Sequence, residues 1–339
     1  MSFSAIIDKS GANISGEVII KSVSGICSVT GSIAAYGIYP QHKDFYALHI
    51  SYDSVCAQNQ CEEYLKANFD ITESSRITDK PLLRRYFALP LRSKPAESGV
   101  SEREFMYNTV FHINSRIDGA DIFSCGKNMG VFRAAVPLKN LGDYYNLQDY
   151  SGWCFIAQGG YSAELPLFSL PDYSVALNGN INSYTANRQA LQSQGYNLTN
   201  LNTRSQSELA AYIIDYLHRK KGLNFEEIAS VTAPPPKKTI EIMEREQRAV
   251  QEYLKTIFAA QVMDGDFTLL AGFSGLQNGL MAVSKSAKTR EAIKIGEKGN
   301  KVYISDSETV IRAAEPNPKK IWSPVSGQPV IIQLKGGES

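Results

Sequence analysis

Long apolar stretches are missing from this 339-residue sequence, since no run of about 18 consecutive apolar residues occurs that could span a bilayer. The first residues, MSFSAIIDKSG, lack the positive region and apolar stretch of a secretory signal, and we expect a cytoplasmic protein. An excess of charge of either sign is also missing, because 35 Lys and Arg oppose 34 Asp and Glu. This balance gives no electrostatic reason to expect nucleic acid or an anionic membrane as a partner.

Cysteine and histidine are few and scattered. The cysteines are odd in number and form no CxxC pair, which argues against a zinc site, a redox dithiol or a disulfide framework; they are Cys27, Cys56, Cys61, Cys125 and Cys154. We therefore expect free thiols in a reducing compartment. His49 alternates with apolar residues and is interpreted as a hydrogen-bonded strand histidine rather than a metal ligand. No GxGxxG, P-loop or HExxH motif is present, so no metal and no cofactor is predicted.

What is present is a mixture of strand and helix patterns in a chain that is 43% hydrophobic. Short apolar runs predict strands at 3–8, 33–39, 45–52, 82–91, 154–157, 173–177, 267–273, 280–284, 301–304 and 330–334. Helical patterns begin near Ser15 and cover 53–69, 102–117 and 307–314. Strands at both ends with helices between them favour an α+β layered sandwich in which the N- and C-terminal strands pair centrally.

Two further helices follow from apolar residues at i, i+3, i+4, i+7 and i+8. The first row is Leu209, Tyr212, Ile213, Tyr216 and Leu217, and the second is Val250, Tyr253, Leu254, Ile257 and Phe258. Such spacing places one apolar stripe on one face of each helix. We expect both stripes to pack against a sheet or another helix and to carry no chemistry.

Residues 129–217 resemble the second half of a class II glutamine amidotransferase domain. The best-matched segment is Asp172-Tyr-Ser-Val-Ala-Leu-Asn-Gly-Asn-Ile-Asn-Ser-Tyr184, where family members have roughly Asp-x-Ser-Val-Val-His-Asn-Gly-Glu-Ile-x-Ser-Tyr. Shorter matches precede and follow it in the expected order, among them Ala34-Ala-Tyr-Gly-Ile-Tyr-Pro40, Gly195-Tyr196 and Ile295-Gly-Glu-Lys-Gly299. The resemblance covers nearly the whole chain and is strongest to amidotransferase subunits of archaeal-type glutamate synthase and N-methylglutamate synthase.

The resemblance implies a four-layer α-β-β-α sandwich, the fold of the N-terminal-nucleophile (Ntn) hydrolases. It implies one domain over residues 1–339, with the strands after about residue 265 in the same sandwich. In this family a Cys after the initiator Met is the nucleophile, and its own α-amino group is the general base. An Asn side chain and the next Gly N–H form the oxyanion hole. An Arg binds the carboxylate of glutamine and an Asp binds its ammonium group.

The positions around the family's nucleophile are largely changed. Ser2 stands where the family has Cys, and the segment that follows it is one residue short. Leu177 replaces a His and Asn180 replaces a Glu on either side of the Asn-Gly pair. Asn178 and Gly179 themselves, at the oxyanion-hole positions, are retained.

The positions that hold glutamine are changed as well. Gly160 stands at the position of the Arg, next to Tyr161, and Ala163 at that of a Thr. Gln206 stands at the position of the Asp. Loss of one partner of a desolvated Arg–carboxylate pair costs about 2–5 kcal/mol, so loss of both Arg and Asp removes the recognition of glutamine as an amino acid. We do not expect glutaminase activity.

Three interpretations remain. The chain is a non-catalytic pseudo-amidotransferase with a structural or regulatory role, whose partner is a glutamate synthase-like FMN-binding subunit or another protein. Alternatively, Ser2 is an N-terminal nucleophile that works with Asn178 and Gly179 on an amide or ester other than glutamine. In the third, the site binds a ligand without turnover, and Tyr161 and Gln206 line an altered pocket. The sequence leaves open which of these applies, and whether the chain is an enzyme.

Overall fold

The computed structural model describes residues 2–78, 82–161, 166–196, 198, 205–275, 278–286 and 293–334. Its strands are β1 (Ser2–Asp8), β2 (Ile14–Ser15), β3 (Thr30–Tyr36), β4 (Tyr46–Tyr52), β5 (Phe69–Thr78), β6 (Leu82–Pro90), β7 (Ala120–Lys127), β8 (Met129–Ala134), β9 (Ser151–Gly152), β10 (Cys154–Gly160), β11 (Leu167–Leu170), β12 (Tyr173–Gly179), β13 (Phe267–Phe273), β14 (Gly279–Lys285), β15 (Lys294–Lys298), β16 (Lys301–Ser305), β17 (Lys320–Trp322) and β18 (Val330–Gln333). Its α-helices are α1 (Gly16–Val23), α2 (Val55–Asn68), α3 (Ser93–Ser98), α4 (Glu102–Arg116), α5 (Leu141–Tyr145), α6 (Tyr184–Ser193), α7 (Gln206–Asp215), α8 (Phe225–Thr232), α9 (Lys237–Glu241), α10 (Arg245–Ile257) and α11 (Glu308–Ala314).

Two antiparallel sheets stack face to face in the centre of the molecule. One has seven strands in the order β17-β15-β16-β1-β10-β3-β8, and the other has five in the order β11-β12-β13-β14-β18. Polar contacts join them across the interface. The Tyr36 hydroxyl lies 2.6 Å from Ser174 Oγ and donates to the Gly272 carbonyl at 2.8 Å, and Gln158 Nε2 donates to the Leu177 carbonyl at 2.7 Å.

Helices cover the outer face of each sheet. Helices α1, α5 and α11 pack on the seven-stranded sheet, and α7 and α8 pack on the five-stranded sheet. Their apolar faces and the outward-facing side chains of the strands form buried cores, for example Leu209 and Ile213 of α7 against Val175 and Leu269. The layer order is therefore α-β-β-α, and the predicted α+β sandwich of the Ntn-hydrolase type is confirmed.

The ends of the chain meet within this sandwich, as the sequence predicts. Strand β1 pairs with β16 in a register that runs from Ser4 opposite Ser305 to Asp8 opposite Lys301. Later strands contribute to both sheets, since β13, β14 and β18 extend one and β15 to β17 extend the other. The interpretation of residues 1–339 as one domain stays a prediction.

A third, four-stranded sheet was not predicted as a separate unit. Its order is β5-β6-β4-β7, and α2 and α4 pack on it around a core of its own that includes Leu48, Ile50 and Met106. The opposite face of β4 meets β8 at the edge of the seven-stranded sheet. Strands β4 and β6 and helices α2 and α4 agree with the sequence patterns, whereas β5 and β7 were not predicted. The pairing brings together segments that are distant along the chain.

The predicted free thiols are confirmed for all five cysteines: Cys27 and Cys56 are exposed and the other three are buried.

The predicted strand at 33–39 begins earlier and ends at Tyr36, because Gly37 takes a φ of 82° that an extended strand does not allow. Among the described residues, no helix is both long and apolar enough to cross a bilayer.

The stripe of α7 is buried as expected, but the expectation for α10 is wrong in part. Leu254 and Phe258 are buried, whereas Val250, Tyr253 and Ile257 are 54%, 64% and 57% exposed. The helix is rotated so that the polar side chain of Gln251 also faces inward, where its Nε2 donates to the Ser230 carbonyl of α8 at 3.0 Å. This hydrogen bond satisfies the buried amide, and the remaining apolar row is left on the surface.

His49 is a satisfied strand histidine, as interpreted from the sequence. It is fully buried in β4, its Nδ1 donates to the Val131 carbonyl at 2.8 Å, and its Nε2 accepts from the Tyr39 hydroxyl at 2.9 Å. Burial lowers the pKa of His49 to about 3, although the bond to Val131 acts in the opposite direction.

We predict that His49 makes the folded state less stable as the pH falls below about 6.5. In that range the unfolded chain binds a proton at this residue and the folded chain does not, so stability falls by about 1.4 kcal/mol per pH unit from this group alone. Urea unfolding between pH 7 and about pH 4.5 should show a steeper loss for the native chain than for His49→Asn. Equal slopes in the two proteins would contradict this prediction.

Candidate functional site

Ser2 is the first residue of β1, and its hydroxyl is engaged by a carboxylate. Ser2 Oγ donates to the Asp306 side chain and lies 2.8 Å from each of its two oxygens. Asp306 follows β16 directly, so the pairing of β1 with β16 brings the two residues together. Burial raises the pKa of Asp306, and the hydrogen bonds from Ser2 and Ser305 oppose this shift.

The direction of the Ser2 side chain follows from the alternation of side chains along β1. Phe3 lies opposite Gln158 of β10, whose amide reaches across to the five-stranded sheet, so Phe3 faces the space between the sheets. Ser2 and Ser4 then face the helical layer on the other side. Ser4 confirms this, because its Oγ lies 2.5 Å from Ser22 Oγ on α1.

Asn178 and Gly179 end strand β12 in the facing sheet. Asn178 lies opposite Thr268, and it shares a strand face with Ser174, which bonds to Tyr36 across the interface. Asn178 therefore faces the seven-stranded sheet. The structure places Phe3, and not Ser2, on the strand face that looks toward this residue. The Ser2 side chain and Asn178 therefore face different sides of β1.

Gly179 has a backbone conformation that only glycine adopts easily. Its φ is 115°, and a Cβ built on it would lie 2.3 Å from the Asp266 carbonyl oxygen. The next residue continues this contact, since the Asn180 N–H donates to the same carbonyl at 2.9 Å. The retention of Gly179 is thus explained by the close approach of two backbone segments.

Gly160 and Tyr161 lie at the end of β10. Gly160 is buried opposite Thr30 of β3, and its carbonyl accepts from the Val29 N–H at 2.8 Å. Tyr161 is 61% exposed. Ala163, which the resemblance places at a Thr position, lies outside the described residues. Residue 160 has no side chain that could bind a carboxylate, whereas the resemblance leads one to expect an Arg at this position.

Gln206 holds the loop that follows Gly179. It is the first residue of α7, after the cap residue Ser205, and its Oε1 accepts from the Ile181 N–H at 2.9 Å. Ser207 makes a similar link, because its Oγ accepts from the Leu177 N–H at 3.0 Å and donates to the Pro166 carbonyl at 2.6 Å. The start of α7 is therefore used to fix the end of β12.

Asp306 is the residue of this region that sequence reasoning missed. It belongs to none of the family motifs named above, but it follows a strand that the sequence predicts to pair with the N-terminal strand. That pairing alone places it near Ser2. Among the described residues, no group of three or more His, Cys, Asp and Glu side chains is arranged to hold a metal ion.

The layer order and these strand ends define a sandwich of the Ntn-hydrolase type, which is the fold of class II glutamine amidotransferases. No family model matches the chain. A protein of Archaeoglobus fulgidus described as "Uncharacterized protein" is 32% identical over 355 residues, which cover 98% of this chain and 92% of that protein. The chain belongs to the same family as that archaeal protein.

Three solved structures are similar to the chain at low sequence identity. They are glutamine phosphoribosylpyrophosphate amidotransferase from B. subtilis (11% identity, 98% of this chain and 47% of that chain, TM-score 0.44), an allosteric regulatory enzyme of purine biosynthesis (10%, 98% and 47%, 0.47) and a glutamine aminotransferase class-II domain protein from Silicibacter pomeroyi (10%, 90% and 96%, 0.37). The chain spans about half the length of the first two. At these TM-scores the likeness carries no argument, and the fold class rests on the layers and strand pairing.

We predict that Gly179→Ala destabilises the fold by about 2–4 kcal/mol, because it combines a disfavoured φ with overlap against a backbone carbonyl. Gly195→Ala is the matched control, since Gly195 also has a positive φ but no atom lies within 4 Å of the position that a methyl group would take. We expect the control to lose only about 1 kcal/mol in urea unfolding. Equal losses would show that overlap at Gly179 is not the cause.

Proposed function

We propose that this chain is a glutamine amidotransferase-like protein of the glutamate synthase type that does not hydrolyse glutamine and acts as a structural or regulatory subunit. The observation that carries the proposal is the direction of Ser2. Its hydroxyl lies on the helix side of β1 and is bound to Asp306, while Asn178 lies in the space between the sheets. A nucleophile and its oxyanion hole must face the same reacting atom.

The substrate-binding positions support the same proposal. Gly160 offers no side chain to a carboxylate, and Gln206 offers a neutral amide whose oxygen is already bound to the Ile181 N–H. Charge-assisted hydrogen bonds are about twice as strong as neutral ones, so these replacements remove the strongest contacts to an amino acid substrate. The contacts that replace them hold the scaffold.

A second candidate function has one observation in its favour. The Ser2 hydroxyl donates to a carboxylate, and a carboxylate can accept a proton from a hydroxyl nucleophile in general base catalysis. In this alternative, Ser2 acts on an amide or ester that approaches from the side of Asp306. Asn178 and Gly179 then take no part in the reaction, because they lie on the other side of the sheet.

We predict that the native protein, Ser2→Ala and Ser2→Cys all release no more ammonia from glutamine than a blank does. Even a thiol at position 2 faces away from Asn178, so Ser2→Cys should not gain activity. The measurement is an enzyme-coupled ammonia assay, with the mass of the intact protein recorded to show whether Met1 has been removed. Ammonia release that disappears in Ser2→Ala would contradict the proposal.

The second candidate function is tested by assaying a further single variant, Asp306→Asn, beside the native chain and Ser2→Ala. Hydrolysis of small amide or ester substrates by the native chain, lost in both Ser2→Ala and Asp306→Asn, would support a Ser2 nucleophile. Hydrolysis that persists in Ser2→Ala would argue against it.

The proposed partner is a glutamate synthase-like FMN-binding subunit, which fits a subunit role in the cytoplasm. The exposed row Val250, Tyr253 and Ile257 on α10 is a surface of the kind that a protein partner covers. We expect the native chain to purify together with such a subunit, and Tyr253→Ser/Ile257→Ser to weaken this association at least tenfold.

The matched control for this experiment is Val55→Ser, because Val55 is 67% exposed on α2. Unchanged association of the α10 variant would show that the row Val250, Tyr253 and Ile257 is not the binding surface. If the native chain does not associate with the subunit at all, the proposed partner is wrong.

A further inference from the structure

A cavity of about 760 Å³ lies at the end of the sandwich opposite Asn178 and Gly179. It is bounded by the start of α4, the turn between β7 and β8, the turn between β11 and β12, and the end of β13. Strand β12 runs from one end to the other over seven residues, which separates the cavity from Gly179 by about 20 Å. None of the positions compared above with the family's glutamine site lines it.

Asp172 provides a buried carboxylate in the lining of this cavity. It is 8% exposed, and its Oδ1 accepts from the Lys127 N–H at 2.9 Å. Its backbone carbonyl accepts from the Ser274 N–H at 2.7 Å, which fixes the turn. Within the described part of the chain, the second carboxylate oxygen, Oδ2, has no hydrogen-bond partner. A buried carboxylate with an open acceptor site is costly unless something pairs with it.

Arg103 provides a cation in the same lining. It is half-buried on the first turn of α4, and its guanidinium makes no hydrogen bond or ion pair with any residue that the structure describes. The described group that it contacts is the ring of Tyr173, with Cζ 5.9 Å from the ring centroid. Burial raises the pKa of Asp172, and the nearby charge of Arg103 opposes this shift without direct contact between the two groups. A ligand can therefore lie between them.

Ion pairs engage the neighbouring charges of α4, β7 and the turn after α7, so these groups do not neutralise Arg103, and the exposed Lys43 and Asp44 also line the cavity with one charge of each sign. Arg219 holds Asp215 through two hydrogen bonds of 2.8 and 2.6 Å and also bonds to Glu104. Lys127 pairs with Glu102 at 2.9 Å. These pairs tie α4 to the turn that follows α7 and to the end of β7. Arg103 thus projects from a helix whose first turn is held in place.

On the α7 side of the cavity, the helix backbone is irregular at the segment that carries Arg219. The helix continues as one π-helical turn, Tyr216–Lys220, which carries both Arg219 and His218. His218 lines the cavity, and its Nδ1 donates to the Leu223 carbonyl at 3.0 Å. Burial lowers the pKa of His218, so the imidazole is neutral near pH 7 and adds no charge to the lining.

We propose that this cavity binds a free α-amino acid, with the carboxylate of the ligand on Arg103 and its ammonium group on Asp172 Oδ2. A planar guanidinium accommodates a carboxylate bidentately, and a carboxylate oxygen accepts from an ammonium group, so Arg103 and Asp172 together match the two charged groups of a zwitterion. The volume is in the range of small-molecule sites, and Trp153 and Phe273 supply apolar lining for the ligand's side chain.

The test is a titration of the native chain with each of the twenty standard amino acids. Binding is measured calorimetrically as heat and, separately, as a shift of the unfolding temperature. We expect at least one to bind, and Arg103→Gln and Asp172→Asn each to weaken it by about tenfold or more. Asn at residue 172 retains an acceptor for the Lys127 N–H and tolerates the φ of 70°. Arg116→Gln, at the other end of α4, is the matched control and should bind normally.

Two analogues of the amino acid that binds show which charged group of the ligand contacts Arg103 and which contacts Asp172. The carboxylic acid without an amino group should lose affinity in Arg103→Gln and not in Asp172→Asn. The amine without a carboxylate should show the opposite pattern. Absence of binding by all twenty amino acids, or normal binding by Arg103→Gln, would overturn the proposal. Neither result bears on glutamine hydrolysis, because Ser2 and the cavity lie at opposite ends of the molecule.

Discussion

Strand β1 lies between β10 and β16, and its register governs which side chains can meet across the two stacked sheets. The position in the middle of the seven-stranded sheet gives the backbone groups of β1 partners on both sides. Since side chains alternate along a strand, the register also decides which residues enter the space between the sheets. A shift by one residue exchanges the whole set, and here it leaves Phe3 inside and Ser2 outside.

The alternation of side chains along β1 separates polar from apolar groups. Phe3, Ala5 and Ile7 fill the space between the two sheets, whereas Ser2 and Ser4 face the helical layer. In the facing sheet, the close backbone packing around Gly179 requires glycine.

The two ends of strand β12 differ in how their polar groups are used. At the Gly179 end, Gln206 and Ser207 form hydrogen bonds with backbone groups of the loops around them. At the Asp172 end, ion pairs join α4 to the turn after α7, and within the described part of the chain the Arg103 guanidinium and one carboxylate oxygen of Asp172 have no partner.

Most of the elements and the fold class can be predicted from the order of the amino acids. Apolar periodicity located β1, β12, β13 and α7, and the ordered matches around Asp172 to Tyr184 pointed to the α-β-β-α sandwich. These features are local or depend on residue order, so they can be seen in a single chain. The free state of the cysteines and the role of His49 followed from spacing and alternation in the same way.

The remaining features exist only in the folded chain, because they depend on which faces meet. The stripe of α10 is visible in the sequence, but the orientation in which Gln251 bonds to Ser230 leaves three of its five apolar residues on the surface. The four-stranded sheet and the cavity of Arg103 and Asp172 join residues that are far apart along the chain. The contact of Ser2 with Asp306 spans 304 positions. Side-chain direction is set by strand register, and register becomes known only when the partner strands are in place.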